Sequence, residues 1–371
     1  KTTTMVHFHL RREYKAGERR TPITPAGAKA LIDAGHKVTV EKFEDRCFPD
    51  SAYEASGCNM VDGDSWRKAD KDVYIIGLKE LPENDDSPLI HTHIFFAHCF
   101  KYQAGWKELL KRFEKGGGKV LDLEFLTNDK GRRVAAFGRS AGFIGAAVGM
   151  MAWVKQQNSK EQLGGPLPYY DDYDALVTDV KQQIEKAGDK RPSVHVVGAL
   201  GRCGGGAVDL SERVGASKVV KWDMAETAKG GPFKELLEVD VLINAILLNA
   251  DNPPPPFVTL DMVDEESRQT TVLVDVSCDG TNPTNPVPLY SEGTSFFDPV
   301  NRVRDEASKG KKVFDVVAID HLPSLVPSES SAEFAEALLP HLTALAPERT
   351  DVWGRAEKLF GDKVKEANES Q

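Results

Sequence analysis

Short apolar runs and longer amphipathic stretches alternate along the first third of the chain. Residues 6–10 alternate in strand fashion, and 37–40, 73–76, 94–97 and 120–123 read as further short strands of similar length. Residues 25–32 open on Pro25, carry Ala26, Ala28 and Ala30, and are followed by Gly35, which are helix start and stop signals. Residues 106–113 are amphipathic and run out at Gly116-Gly117-Gly118. This rhythm predicts a mostly parallel sheet covered by helices. A long helix is expected over 137–157, then a proline- and tyrosine-rich loop over 164–173. A second series follows, with strands expected at 194–197, 219–222, 241–246, 272–276 and 313–319. Four consecutive prolines, Pro253 to Pro256, exclude a central strand over 252–256. Beyond Pro323 the pattern is helical, at 331–339 and 353–367. The expected class is α/β, with two sheets and a ligand cleft between the domains that carry them.

Composition narrows the class of partner. The 371 residues are 40% hydrophobic and 28% charged, enough to bury sizeable cores. The richest apolar run, 135–154, is broken by Arg139, Ser140 and several glycines, so a buried helix is expected there and no membrane span. A net charge of −10 argues against nucleic acid or an anionic membrane as the main partner. Five scattered cysteines without CxxC spacing fit a reducing compartment. The start of the chain carries no signal-peptide pattern, and Glu369-Ser370-Gln371 is not a Ser-Lys-Leu-type address, so a cytoplasmic protein is expected, with a peroxisomal one as the alternative. The pair His91 and His93 lacks acidic or thiol partners at metal-ligand spacing, and no metal site is expected.

The first chemical motif follows the strand expected at 194–197. Gly198, Gly201 and Gly204 form a GxxGxxG turn that opens a helix. Such glycines permit a tight turn and let phosphate oxygens reach the backbone. The next strand ends at Asp223, where an acid that accepts from ribose hydroxyls should fall. An acid there repels a 2′-phosphate and favours NAD over NADP. Lys221 and Lys229 stand nearby and weaken that preference.

The second motif is a set of charges at strand ends. Lys79 and Glu80 follow 73–76, His98 follows 94–97, and Glu124 follows 120–123. In a parallel sheet the C-terminal strand ends face the ligand crevice, so one rim would receive all four. Such a set can move protons. Singly, each fits an ordinary solvent-facing residue. Arg11, Arg12, Lys15, Arg19, Arg20, Lys101, Arg132 and Arg133 punctuate the same region, and arginine forks bind carboxylates.

The stretches "IIGLKELP", "FAHCFKYQAGW", "DLEFLTNDKGRRVAAFG", "GALGRCGGGA", "KWDMAET", "DVSCDGTNPTNP" and "AIDHLPSLVP" resemble the fungal saccharopine dehydrogenases of the NAD-dependent, L-lysine-forming type. The resemblance runs from Val6 to the C-terminal helix. It implies two Rossmann-like domains with parallel twisted sheets, related to alanine dehydrogenase and the transhydrogenase nucleotide-binding subunits. A substrate domain would comprise 1–136 and 325–371, and an NAD domain 137–324. It also implies the last step of the α-aminoadipate route to lysine, in which saccharopine, NAD+ and water give L-lysine, 2-oxoglutarate and NADH. By motif, Lys79 and His98 would be the acid–base pair, tuned by Glu80 and Glu124. Substrate would be held by Arg20, Lys79, Lys101, Gln103, Arg133, Phe137, Ser277, Cys278 and Asp279. Cofactor would be held by Arg132, Gly198, Gly201, Arg202, Asp223, Thr227, Val276, Ile319, Asp320, His321 and Leu322. A monomer acting on small molecules is expected.

The chemistry is consistent with the residues. Three substrate carboxylates would account for local arginines in an acidic protein. A lysine that accepts a proton must first be neutral. Burial and nearby cations favour that form, with Arg20 and Lys101 as candidates, while Glu80 favours the charged form. The chain departs from the family at two places. Ala245 replaces a cysteine that in some members can pair with the one in the glycine turn, and Leu247 replaces a tyrosine. A disulfide through Cys203 is therefore doubtful, with Cys278 left as a partner to consider. An ammonia-using amino-acid dehydrogenase of the same fold, or a silent nucleotide-binding protein, shares much of this pattern.

Overall fold

The computed structural model describes residues 5–82, 85–101, 103–159, 161–248, 253–280, 282–305 and 312–369. Residues 1–4, Tyr102, Asn252 and 370–371, on which parts of the sequence reading fell, lie outside these. The chain divides into two compact units: residues 1–136 with 327–371, and residues 137–326.

The first unit begins with β1 (His7–Leu10), α1 (Pro25–Asp33), β2 (Lys37–Glu41), α2 (Asp50–Ala55) and β3 (Asn59–Val61). It continues with β4 (Tyr74–Ile76), β5 (Thr92–Phe95), α3 (Trp106–Gly116) and β6 (Lys119–Asp122). The sheet order is β3-β2-β1-β4-β5-β6, and every adjacent pair is parallel. This is the doubly wound order, and its ligand crevice is expected at the switch between β1 and β4. α1 starts as its residues dictate: Thr24 caps the Gly27 N–H and Pro25 takes the first turn, where its missing N–H costs nothing.

The second unit holds α4 (Gly138–Ser159), α5 (Tyr173–Lys186), β7 (Ser193–Val197), α6 (Arg202–Arg213), β8 (Lys218–Trp222) and α7 (Met224–Thr227). Then come β9 (Val241–Asn244), α8 (Leu260–Val263), β10 (Val272–Asp275), β11 (Asn301–Arg304) and β12 (Phe314–Val317). The order is β11-β12-β10-β9-β7-β8, parallel except for β11 against β12. The apolar run of α4 is buried along most of its length against β9, β10 and α6. α9 (Pro327–Thr343) and α10 (Asp351–Glu369) belong to the first unit, where α10 packs on α3 and β6. None of the described helices is long and apolar enough to cross a membrane.

The candidate active site

Three neighbouring strands of the first unit, β4, β5 and β6, carry the predicted charges just past their C-terminal ends. Lys79 is buried and Glu80 beside it is exposed. His98 takes φ +50, the left-handed region that a residue other than glycine seldom occupies. Its Nε2 lies 3.5 Å from Glu80 Oε1. Glu124 receives Lys101 Nζ at 2.6 Å and has Arg133 Nη2 at 3.7 Å. Burial opposes ionisation of Glu80, but Lys79, His98 and Lys15 outweigh it and hold the carboxyl below its ordinary value. Glu124 is likewise held low: Lys101, Arg133 and His98 overcome the cost of burial. His98 thus acts electrostatically on both acids, and the structure gathers Lys79, Glu80, His98, Lys101, Glu124 and Arg133 at one rim.

The two cations suggested as neutralising influences on Lys79 each have a carboxylate partner. Arg20 donates from Nε and Nη2 to both oxygens of Glu18, at 2.8 and 2.6 Å, and Lys101 Nζ donates to Glu124 Oε1 at 2.6 Å. Each cation is thus paired with a carboxylate of its own. What keeps Lys79 out of water is burial. Gln103 accepts the Lys101 N–H at 2.9 Å, which shapes the loop after β5.

Asp122 was not singled out from the sequence, where it read as part of an apolar strand. It is wholly buried. It accepts the Glu124 N–H at 2.8 Å and the Ala97 N–H, while no described residue donates to its Oδ2. Burial pushes its carboxyl up to about 7, against those two donors. Asp122 thereby ties the backbones that present His98 and Glu124. An aspartate among Val120, Leu121 and Leu123 was the available signal.

In the second unit the glycine turn joins β7 to α6 at the switch between β7 and β9. Gly198 has φ +85, and a Cβ on Gly204 would stand 2.0 Å from the Gly198 carbonyl oxygen. Neither position accepts a side chain without displacing the turn. Gly201 precedes α6, whose first residue is the exposed Arg202, leaving helix N–H groups directed outward for an anion. Asp223 accepts the Leu200 and Met224 N–H groups, each at 2.9 Å, and Thr227 donates its hydroxyl to the Asp223 carbonyl. Lys221 is paired with Glu212 at 2.7 Å and Lys229 with Glu235 at 3.4 Å, so the lysines that weakened the case for NAD are locally neutralised. Leu200, Met224 and Leu247 are large, apolar and exposed. Leu200 and Met224 flank Asp223, and Leu247 follows the Ala245–Ile246 backbone that abuts Gly198. Exposed apolar groups there suit the faces of a base. These residues fit a dinucleotide of the NAD type.

Further along, Val276, Ser277, Cys278 and Asp279 leave the end of β10. Ser277 donates to the Ile246 carbonyl at 2.7 Å, and Cys278, at φ +54, donates to the Ala318 carbonyl at 3.0 Å. Asp275 beneath them is buried and accepts from Tyr290 Oη at 2.6 Å and Asn244 Nδ2 at 3.0 Å. Ile319 is buried after β12, Asp320 is exposed and holds His321 Nδ1 at 2.7 Å, and Leu322 opens a short 3-10 turn. Phe137 begins the second unit and its carbonyl accepts the Ala141 N–H. Arg132 is exposed and, unlike the other candidate nucleotide residues, belongs to the first unit. All five cysteines are free thiols, and burial pushes Cys203 up to about 12, an inert thiol.

Comparison with known proteins bears on both units. The model for the alanine dehydrogenase/PNT N-terminal domain matches residues 9–144, and that for the C-terminal domain matches 217–364. A solved L-alanine dehydrogenase superposes with TM-score 0.64 at 17% identity, covering 96% of this chain and 99% of its own. A transhydrogenase from Sinorhizobium meliloti gives the same TM-score and identity over 95% and 97%. These establish the fold. Saccharopine dehydrogenase (NAD+, L-lysine-forming) of Candida albicans is 48% identical over 97% of each chain. That of Schizosaccharomyces pombe is 46% identical over 95% of this chain and 97% of its own, and that of Yarrowia lipolytica 48% over 98% of each. With such identity over nearly its whole length, the chain belongs to the family of NAD+-dependent, L-lysine-forming saccharopine dehydrogenases.

Proposed function

We propose that the protein converts saccharopine, NAD+ and water to L-lysine, 2-oxoglutarate and NADH, and catalyses the reverse when supplied with the products. Membership of the family supports the substrates. The observation that carries the chemistry is the rim itself: two proton-carrying side chains, Lys79 and His98, on adjacent strand ends, with an ionised acid beside each strand end and cations around them.

Bound NAD+ supplies the hydride acceptor. The chain supplies the proton transfers and the charges that orient the substrate. Lys79, buried, accepts the proton of the secondary amine so that the nitrogen lone pair can assist C–H cleavage. The product of that step is an imine, which water must attack. His98 takes a proton from the water as the imine nitrogen gains one, giving a carbinolamine. A base of the rim then removes the hydroxyl proton while the nitrogen takes another, so that the C–N bond breaks and 2-oxoglutarate and lysine leave. Arg20, Arg133, Lys101 and Gln103 supply donors for substrate carboxylates. Glu18 fixes the plane of the Arg20 fork through two hydrogen bonds, which suits bidentate recognition. Glu80 and Glu124 cap the positive charge of the pocket. Ser277, Cys278 and Asp279 complete the substrate set, and Arg132 with the glycine turn, Asp223, Thr227, Val276 and Ile319 to Leu322 the cofactor set.

Initial rates decide the matter. Oxidation of NADH is expected with L-lysine and 2-oxoglutarate, and much slower oxidation of NADPH under the same conditions. Turnover with pyruvate and ammonia in place of lysine would move the assignment to an amino-acid dehydrogenase. No turnover with any of these would sink the enzyme reading. We further propose that the chain acts as a monomer on small molecules, not nucleic acid, in the cytoplasm. A net charge of −10 speaks against nucleic acid, and scattered cysteines without CxxC spacing fit a reducing compartment. Sedimentation tests the first part.

Glu80 makes a prediction about pH. Its carboxyl is held below the ordinary value and so is ionised throughout the neutral range. A negative charge 3.5 Å from the imidazole favours protonated His98. Replacing Glu80 with Gln removes that preference, so the basic form is reached at lower pH. The acidic limb of the kcat/KM profile for saccharopine oxidation should move to lower pH, modestly because the pair is half exposed. A profile unmoved by Glu80→Gln would remove this acid from the tuning of the site.

A further inference from the structure

We infer that Arg11 and Glu13 form a buried clamp that positions Lys79, extending strand pairing past the point where β1 and β4 stop. The inference rests on the reading of Lys79 as a proton-transfer group. β1 ends at Leu10 opposite Ile76, the last residue of β4, and the Arg11 N–H still reaches the Ile76 carbonyl at 3.0 Å. Beyond that, side chains replace backbone as the partner. Glu13 Oε1 accepts the Leu78 N–H at 2.7 Å, and Oε2 accepts the Lys79 N–H at 2.9 Å. Arg11 Nη1 donates to Glu13 Oε2 at 3.3 Å, and Nη2 donates to the Lys79 carbonyl. On the other side, the Gly77 N–H goes to the Ile94 carbonyl and the Phe96 N–H to the Leu78 carbonyl, both at 3.0 Å. The Gly77–Lys79 backbone is thus gripped from both sides.

The clamp is expensive to bury, which argues that it does more than fill space. Arg11 is 1% exposed and Glu13 4%. Removing two charges from water is costly unless each is paired and hydrogen-bonded. Burial and the neighbouring Glu18 raise the Glu13 carboxyl above its ordinary value, against the pull of Arg11 and the two N–H groups. Three donors shared by two oxygens are the pattern of an anion. The Arg11 guanidinium also lies 5.5 Å from the Tyr14 ring centroid and 5.6 Å from that of Phe95. Gly77 completes the device: a Cβ there would stand 2.5 Å from Arg11 Cζ, so the glycine is the space the guanidinium occupies. The clamp sits at the switch between β1 and β4, where a doubly wound sheet opens its ligand crevice. A packed hydrophobic pair could close the same gap, but it could not hold two N–H groups and a carbonyl of the segment that carries Lys79.

Two independent variants test the clamp. Glu13→Gln replaces one accepting oxygen by a donor facing a donor. Gly77→Ala leaves both charges in place and pushes the flexible end of Arg11 off the Lys79 carbonyl. Each should lower kcat with lysine, 2-oxoglutarate and NADH by about 10- to 100-fold, the scale set by an ångström of misplacement. NADH affinity should not change. The solvent deuterium isotope effect on kcat should rise, because a displaced base makes proton transfer slower than the other steps. The double variant should be little worse than the worse single, since both break one device. Folded variants with wild-type kcat overturn the inference, and so does loss of NADH binding in step with kcat, which would mark general disruption. Lys79→Met serves as the reference. If it turns over normally, the reading of Lys79 fails. If it is slow while Glu13→Gln and Gly77→Ala are normal, the clamp alone fails.

Discussion

Lys79→Met should lower kcat in both directions by about 10²- to 10⁴-fold, the range that a positioned general acid or base contributes. Methionine keeps an unbranched stem of similar length, so the buried slot stays filled while proton transfer is lost. His98→Gln should fall in the same range, because glutamine can hydrogen-bond but cannot exchange a proton near neutral pH. NADH affinity should stay at the wild-type value in both, since all the candidate nucleotide residues except Arg132 lie in the second unit. The double variant should lose much less than the product of the single losses, because each group serves steps that are useless once the other has failed. Steady-state rates together with fluorescence titration of NADH check all three statements. Multiplicative losses would mean that the two residues act in unconnected ways. Parallel loss of NADH affinity would mean that they hold cofactor.

Much of the site was legible because a parallel sheet has a direction. Once 73–76, 94–97 and 120–123 were read as parallel strands, Lys79, Glu80, His98 and Glu124 had to share a rim, and they do. The glycine turn was legible for the same reason, lying between a strand and a helix. Pairings were not legible. Glu18 and Arg20 meet in an irregular loop two residues apart, and Lys101 and Glu124 meet across 23 residues, so no period announced either. The sequence alone therefore does not show that Arg20 and Lys101 are ion-paired. Asp122 and Glu13 were missed for a related reason: their partners are backbone N–H groups, which carry no residue identity. The antiparallel edge strand β11 also gave no apolar signal. Its residues Asn301 to Arg304 are half buried, and Arg302 is held by the buried Asp315 at 2.8 Å. The glycines of α4 read only as breaks in an apolar run, and their role is steric.

Gly142→Ala should destabilise the second unit by about 3 kcal/mol, at the upper end of the usual cost of overpacking. Propensity alone argues the other way, since alanine in a helix interior is favoured over glycine by about 1 kcal/mol. The contact decides the sign. A Cβ on Gly142 would stand 1.8 Å from the Cys203 carbonyl oxygen and 2.6 Å from its carbon, both backbone atoms of α6. Ordinary contact is about 3.5 Å, so α4 and α6 would have to part by more than an ångström. They are locked on the reverse side too, where a Cβ on Gly206 would stand 2.1 Å from the Arg139 carbonyl oxygen. α6 begins at Arg202, immediately after the glycine turn, so a shift of this helix carries the phosphate-facing N–H groups with it. Weaker NADH binding should therefore accompany the lower denaturation midpoint. Gly205→Ala is the control on the same helix: nothing lies within 4 Å of its Cβ, so only propensity acts and stability should rise slightly. If Gly142→Ala and Gly205→Ala unfold at the same denaturant concentration, the two helices are not held by backbone contact, and the nucleotide turn owes its placement to something other than this packing.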